Sequence, residues 1–293
     1  MSDARNRVVP MLLIGPAALG IIVFVIAPLI IVLALSLFRV NLIGGTMTFA
    51  GLDNFVTELQ HPEFVTSIRN TVTYGLLTVL PSLALGLIVA LAINGLTRGQ
   101  GFWRSVYFLP AATTLVAMSA VWRWMFRPDT GVVDTVLGPL FGLRDWLGDP
   151  NLAMGAIAIV GIWHQFGLIT VLYLAALGTV PGDQYDSAAI DGARDWSRFW
   201  HVTWPALGPT TVFAFAVTAS SALQAYDVIA AMTAGGPLNS TTTLTYAIWS
   251  RGVHFFDIGR AAVLSLALLA LSILVTAVQR TGYARRLEAG AVR

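Results

Sequence analysis

The sequence predicts an all-α, polytopic membrane protein with six transmembrane helices, and three observations predict it. Hydrophobic residues make up 56% of the 293-residue chain and charged residues only 11%, less than half the roughly 25% of ordinary soluble domains. Six stretches, about 11 to 37, 71 to 96, 105 to 126, 153 to 180, 206 to 231 and 261 to 280, are apolar over lengths at or near the ~20 residues a helix needs to cross a bilayer. The arginines sort by side when the amino terminus is placed inside.

The first stretch is the uncharged run from Val8 to Phe38. It exceeds a signal-peptide core and no small-residue cleavage site follows it, so it is expected to remain as the first span. The loop of about 38 to 70 carries Gly44-Gly45, a turn signal. Between the second and third stretches lie fewer than ten residues, which makes those spans antiparallel neighbours. The loops 127 to 152 and 232 to 260 contain Asp149-Pro150 and Gly235-Gly236-Pro237 and have room for short structure of their own. The sixth span is secured by Ala261 to Gln279, which holds no charge. Neither a repeat period nor inverted halves stand out.

All 17 basic residues are arginine. Arg5, Arg7, Arg98, Arg104, Arg194, Arg198, Arg280, Arg285, Arg286 and Arg293 fall inside, and Arg39, Arg69, Arg123, Arg127, Arg144, Arg251 and Arg260 outside or near the outer interface. Both termini are therefore expected in the cytoplasm. Trp103 suits the inner headgroup layer, Trp122 and Trp124 the outer one. Trp196, Trp200 and Trp204 recur every four residues and give one aromatic stripe. Such a stripe lies along the inner membrane surface or packs beneath the spans, with plain core packing an equal alternative.

Composition also excludes functions. Without cysteine there are no disulfides and no thiolate metal sites. Without lysine there is no Gly-rich phosphate-cradling loop of the nucleotide-hydrolysing kind. The histidines, at 61, 164, 201 and 254, are scattered, which argues against a metal or catalytic cluster. These absences argue against a complete enzyme, and the chain is expected to carry no cofactor of its own.

The most informative polar segment, 183 to 205, lies between the fourth and fifth spans. Asp183 after Pro181-Gly182 is expected to cap a short helix running to Ile190, and Gly192 to stop it in a left-handed conformation. Asp186 in the first turn suits the helix dipole and offers a carboxylate to a partner's arginine. Ser187, Ala188 and Ala189 leave a smooth surface, with Asp191 beside the glycine and Pro205 closing the segment. A plain connecting helix is the competing reading.

The spacing shifts the balance toward docking. Asp186-Ser187-Ala188, three residues, Gly192, nine residues, Val202, one residue, then Trp204-Pro205 resembles the Glu-Ala-Ala signature of permease subunits in binding-protein-dependent ABC importers. It departs in Asp for Glu, Ser for Ala, Val for Ile and Trp for Leu. The resemblance extends along nearly the whole chain, toward the carbohydrate-uptake branch: Phe49-Ala50-Gly51-Leu52-Asp53-Asn54-Phe55, Phe102-Trp103-Arg104-Ser105 to Leu109-Pro110, Trp122-Arg123-Trp124-Met125-Phe126, and Ala225-Tyr226-Asp227 leading to Met232-Thr233-Ala234-Gly235-Gly236-Pro237 and Ser240-Thr241-Thr242-Thr243-Leu244. The last run is similar to the first permease subunit of such pairs, including those for glycerol 3-phosphate.

The resemblance implies a single permease domain over 1–293 with the type I importer fold, in a bacterial inner membrane. It implies that 183–205 is a coupling loop docking into an ATP-hydrolysing subunit. The partners implied are a second permease subunit, two copies of that ATPase carrying ATP and Mg, and an extracytoplasmic substrate-binding protein. The substrate class implied is di- or oligosaccharide or glycerol phosphate.

Polar groups at membrane depth more often face a cavity or a partner helix than lipid. Gln165 lies about 12 residues into the fourth span, roughly 18 Å at 1.5 Å per residue, beside Trp163 and His164, with Tyr173 two turns on. Ser220, Gln224 and Asp227 fall at i, i+4 and i+7, next to Tyr226, and predict one polar stripe on the fifth span. Amides, carboxylates and aromatic faces are the groups that bind sugars, although interhelical hydrogen bonding is the commoner role for any one such residue. An ion-coupled secondary transporter or channel is the alternative function; it calls for repeats and broken helices with buried charge, and the sequence displays neither clearly.

Overall fold

A computed structural model describes residues 14–41, 44–141 and 145–291. Arg5, Arg7, Arg144, Arg293 and the start of the first span before Ile14 lie outside them. Four helices are long and apolar enough to cross a membrane, Ile14–Ser36, Pro62–Asn94, Ala153–Leu177 and Ile258–Gln279, and two bent pairs bring the count to six if each pair is one span. The chain forms two compact units, one ending at Phe64 and including Ala247–Leu269, the other comprising Val65–Tyr246 and the segment from Ala270.

In the first unit the first span runs into a β-hairpin. Strand β1 (Phe38–Asn41) pairs antiparallel with β2 (Thr46–Phe49), Phe38 opposite Phe49 and Asn41 opposite Thr46. The two phenylalanine rings meet edge-on at 5.4 Å. Asn54, in the short helix Asp53–Gln60, donates through Nδ2 to Ser36 O at 2.9 Å and Phe38 O at 3.0 Å. Carbonyls at a helix end have no intrahelical partner, so this buried amide supplies one. A Cβ on Gly259 would come within 2.5 Å of Phe38 O and 2.6 Å of Asn54 Nδ2, so only glycine lets the sixth span start there.

The same unit buries charge. Glu58 is 1% exposed and accepts from Arg260 Nε at 2.6 Å, with Arg251 Nε 3.8 Å away. Arg251 also donates to Glu63 at 2.7 Å, and His61 Nδ1 lies 3.2 Å from the same guanidinium nitrogen. Neighbouring acids and arginines thus neutralise one another where hydration is lost.

In the second unit the helices pack through small residues, as they do where lipid removes the hydrophobic drive for association. A Cβ on Gly161 would meet Tyr74 Oη at 2.4 Å, one on Gly86 would meet Ile169 Cγ2 at 2.6 Å, and one on Gly167 would meet Tyr107 O at 2.0 Å. Two apolar clusters result. One holds Tyr74, Phe126, Ile157, Val160, Val228 and Ile229, the other Ile93, Ile169, Tyr173, Leu174 and Leu207.

The span boundaries differ from expectation in four places. The second span begins at Pro62 rather than near 71, because its first turns carry Glu63, Ser67, Arg69 and Asn70, which hydropathy discounts. The third span is not straight: Gln100–Ala112 meets Leu115–Met125 at 92°. Pro110 lies in a 3₁₀ turn there, and Thr113 and Thr114 are extended at ψ 155° and 126°; proline cannot donate the missing hydrogen bond. The fifth is also bent, Asp195–Ala206 joining Gly208–Leu223 at 62°, between Pro205 and Pro209. That helix stops at Leu223, and Asp227–Met232 is a separate helix. Sharply bent helix pairs, unseen in the sequence, are therefore present.

Between the fifth span and Leu244 the threonine-rich loop is tied down by its hydroxyls. Thr241 donates to Gly236 O at 2.7 Å, Thr242 to Gly235 O at 3.0 Å and Thr243 to Ala225 O at 3.1 Å. Asn70 on the second span donates to Asn239 O and Thr242 O at 2.8 and 3.0 Å. Buried loop carbonyls are satisfied in this way.

Candidate functional site

The helix expected at 183 to 190 is present as Gly182–Ile190. Its N-cap is Pro181, at φ −62° and ψ 136°, with no side-chain cap hydrogen bond. Asp183 is therefore in the first turn and not at the cap, since the preset φ of proline starts the helix two residues earlier. The carboxyl-terminal end matches expectation. Gly192 is left-handed at φ +77°, Gly192 N–H donates to Ala189 O at 3.0 Å and Ala193 N–H to Ala188 O at 2.9 Å. That pair of bonds is a Schellman closure.

Tyr185 Oη and Thr203 Oγ1 share a hydrogen bond of 3.0 Å and tie the short helix to the following one. Asp183, Asp186, Ser187, Ala189 and Asp191 are exposed, Ala188 is half-buried, and Pro205 is exposed. Ile190 is 87% exposed and Trp196 73%. The tryptophan stripe forms a ladder, Trp196 to Trp200 at 5.7 Å and Trp200 to Trp204 at 6.0 Å, with Phe199 between them. Plain core packing does not describe it, because Trp196 and Trp200 face out of this chain. Ala188, Asp191, Gly192, Ala193, Arg194, Trp196, Ser197 and His201 line a recess beside the glycine. Acid, small and apolar groups thus share one exposed surface, a chemistry suited to an arginine and an apolar rim.

The polar groups at membrane depth divide. Gln165 is half-buried, and its Oε1 is buried without a hydrogen-bond partner. Its neighbour His164 places Nε2 3.3 Å from Thr113 O, at the break in the third span. Trp163 meets Trp122 edge-on at 5.7 Å, and Trp122 stacks on Phe126 at 5.7 Å. The fourth span thus presents an unsatisfied amide oxygen beside a broken helix and an aromatic wall. Such an oxygen seeks a donor. His164 as a partner of the break was missed by sequence reasoning; the extended pair Thr113-Thr114 after Pro110 was the available signal.

Tyr173 is placed elsewhere. It is fully buried in the second cluster and donates to Thr211 Oγ1 at 3.2 Å. On the fifth span Ser220 Oγ accepts from Gln224 Nε2 at 3.1 Å, and both are exposed. The single stripe does not extend to Asp227, because Gln224 ends its helix and Asp227 opens another. Tyr226 stacks on Tyr246 at 6.2 Å.

Comparison with known proteins was informative over nearly the full length. Residues 82–286 match the family model described as "Binding-protein-dependent transport system inner membrane component". The chain is 32% identical, over 97% of its length and 98% of the relative's, to the sn-glycerol-3-phosphate transport system permease protein UgpA of Agrobacterium fabrum. It is 34% identical, over 94% of its length and 90% of the relative's, to the sulfoquinovosyl glycerol transport system permease protein SmoG of the same organism. A chain of a bacterial ABC transporter involved in the import of the acidic polysaccharide alginate superposes with a TM-score of 0.80 at 21% identity, covering 97% of this chain and 98% of that one. A second structure of a bacterial alginate ABC transporter, with an alginate pentasaccharide-bound periplasmic protein, matches equally well at a TM-score of 0.80.

Proposed function

Because the chain belongs to the family of binding-protein-dependent transport system inner membrane components, we propose that it forms half of the translocation pathway of an ATP-driven importer for sugars or related polyols, the di- or oligosaccharide and glycerol-phosphate class. In this reading a second permease subunit completes the pathway and two copies of an ATPase subunit, carrying ATP and Mg, drive it. An extracytoplasmic substrate-binding protein delivers the solute, and both termini of this chain lie in the cytoplasm of a bacterium. The chain makes no covalent bond itself.

The observation that carries the reading is the projecting segment 183–205, with its exposed Asp186, its smooth Ala188-Ala189 surface and its rigid Gly192 closure. Docked in a cleft of the ATPase, it would move with that cleft as nucleotide closes it. Bends at residues 113–114 and 207 give the third and fifth spans places to pivot, and discontinuous helices line solute paths in membrane transporters.

The native chain has no cysteine, so a single Ala189→Cys reports position cleanly. With a cysteine in the ATPase cleft, this variant is expected to cross-link to the ATPase in membranes, and an Ala277→Cys control is not. Absence of the cross-link, or ATP-independent transport by the chain alone in liposomes, defeats the proposal; the second outcome favours an ion-coupled transporter.

For the solute path, Gln165 and Gln224 are proposed to contact hydroxyl groups, with Trp163, Tyr226 and the acid Asp227 nearby, and with Tyr173 and Ser220 holding the helices that carry them. Gln165→Ala and Gln224→Ala are each expected to lower uptake by about five- to tenfold, the worth of about 1–1.5 kcal/mol of hydrogen bonding. Substrate-stimulated ATP hydrolysis should fall in parallel. Normal uptake in both variants removes them from the path.

A further inference from the structure

The bent third span ends in an arginine pair that none of the roles above uses. Ala120, Arg123, Trp124, Phe126, Arg127, Pro128 and Leu147 line an open recess where the helix Leu115–Met125 runs out. We infer that this recess is an anion-recognition site at the outer mouth, selecting solutes that carry a phosphate, sulfonate or carboxylate on a sugar or polyol; the inference rests on the importer reading and narrows its substrate class.

The recess is built rather than incidental. A Cβ on Gly131 would lie 2.2 Å from Met125 O, 2.6 Å from Arg127 O and 2.7 Å from Arg127 N, so only glycine lets the chain fold back over the helix end and fix the backbone of Arg127. Gly131 N–H donates to Arg127 O at 2.8 Å. The floor is Phe126, fully buried and 5.8 Å from Trp146. Arg123 is exposed, its Nη1 3.4 Å from Ala231 O, and the exposed guanidinium of Arg127 has no hydrogen-bond or ion-pair partner among the described residues.

The lining includes two guanidinium groups and no carboxylate. Three acids of the surrounding loop are engaged in its own turns, while Asp129, two residues from Arg127, is exposed. Asp134 accepts from Asp129 N–H, Asp145 from Gly148 N–H and Asp149 from Asn151 N–H, each at 2.8 Å. Guanidinium forks bind oxyanions through paired charge-assisted hydrogen bonds. Trp122, adjacent to Arg123, touches Trp163, two residues from Gln165. An anionic head held by the arginines would leave its hydroxylated body over the aromatic wall, pointed at the unsatisfied amide.

The same guanidinium pair also suits a phospholipid headgroup, and the test separates the two sources. The full chain in nanodiscs is treated with phenylglyoxal, and modification of Arg123, Arg127 and the exposed Arg69 is followed by mass spectrometry. Addition of millimolar sn-glycerol 3-phosphate is expected to slow modification of Arg123 and Arg127 by about threefold or more while sparing Arg69, and glycerol is expected to do nothing. Equal rates with and without the phosphate compound, equal protection by glycerol, or equal protection of Arg69 overturns the site. Protection that depends on exchanging phosphatidylcholine for phosphatidylglycerol, and not on the solute, assigns the arginines to lipid and overturns it too. The measurement needs no ATPase, so its failure is distinguishable from failure of the knob to cross-link.

Discussion

Replacing Gly192 with valine is expected to abolish most ATP-driven uptake while the chain still inserts in the membrane. No heavy atom lies within 4 Å of a Cβ built at Gly192, so the effect does not arise from a clash. It arises from the backbone, which is left-handed at φ +77°. An L-residue in that conformation costs roughly 1–2 kcal/mol, and a β-branched one stands at the upper end. The Schellman bonds from Gly192 and Ala193 exist only in that conformation, so a chain that escapes the strain loses the closure and releases the end of the helix. If docking requires the closed form, about 2 kcal/mol weakens association with the ATPase by roughly thirtyfold. Gly192→Asn is the control, since asparagine enters the left-handed region readily. It is expected to retain most uptake and most ATPase co-purification. Equal loss in both variants would show that the position matters for something other than its backbone.

A comparable expected effect concerns stability rather than transport. Glu58→Gln keeps the shape but removes the charge that Arg260 and Arg251 share. Arg260 Nη2 is already buried without a hydrogen-bond partner, so the variant leaves the guanidinium with only the longer, 3.9 Å ion pair to Asp257. Removing one member of a buried pair costs about 3–5 kcal/mol, which corresponds to a melting temperature lower by on the order of 10 °C for a chain of this size. Thermal unfolding followed by size-exclusion chromatography in detergent measures it. Glu63→Gln, at a position with 18% of its side chain exposed, is expected to lower it far less. Glu58→Gln with Arg260→Met should recover part of the loss, because an apolar isostere avoids the desolvation of the pair. An unchanged melting temperature in Glu58→Gln shows that the cluster is solvated and carries no stability.

What was legible in the sequence follows from how local the determinants are. The knob is specified by neighbours in the chain: a proline that starts it, a glycine that ends it, and a fixed distance to Pro205. Gly192 and the 183–190 helix were therefore placed correctly, while the cap was misassigned by two residues because Pro181 preempts Asp183. Span positions were legible because lipid imposes a length of apolar residues. Bends were not, since Gln100–Ala112 and Leu115–Met125 are both apolar, and hydropathy does not distinguish a straight rod from an angle.

The solute-facing residues fared less well, for the same reason. Tyr173 is eight residues from Gln165, and at 100° per residue that is 80° away from its face; the tyrosine turns into the core and finds Thr211. The Ser220, Gln224, Asp227 stripe presupposed a helix continuing past Gln224, and the helix stops there. Close approaches at Gly161 and Gly167 have no periodic signature, because they depend on which aromatic residue of another helix arrives. The arginine recess depends on the return of the chain at Gly131, which a sequence read for periodicity passes over.

The ladder of Trp196, Trp200 and Trp204 with Ile190 at its edge has a consequence for how such a protein must be made. On the docking proposal, a copy made without the proposed ATPase would leave these exposed rings uncovered. Water-exposed aromatic surface of that kind sticks to whatever hydrophobic material is near. On that proposal, production of this chain on its own is expected to invite clumping, and co-expression with the proposed ATPase to shield the rings.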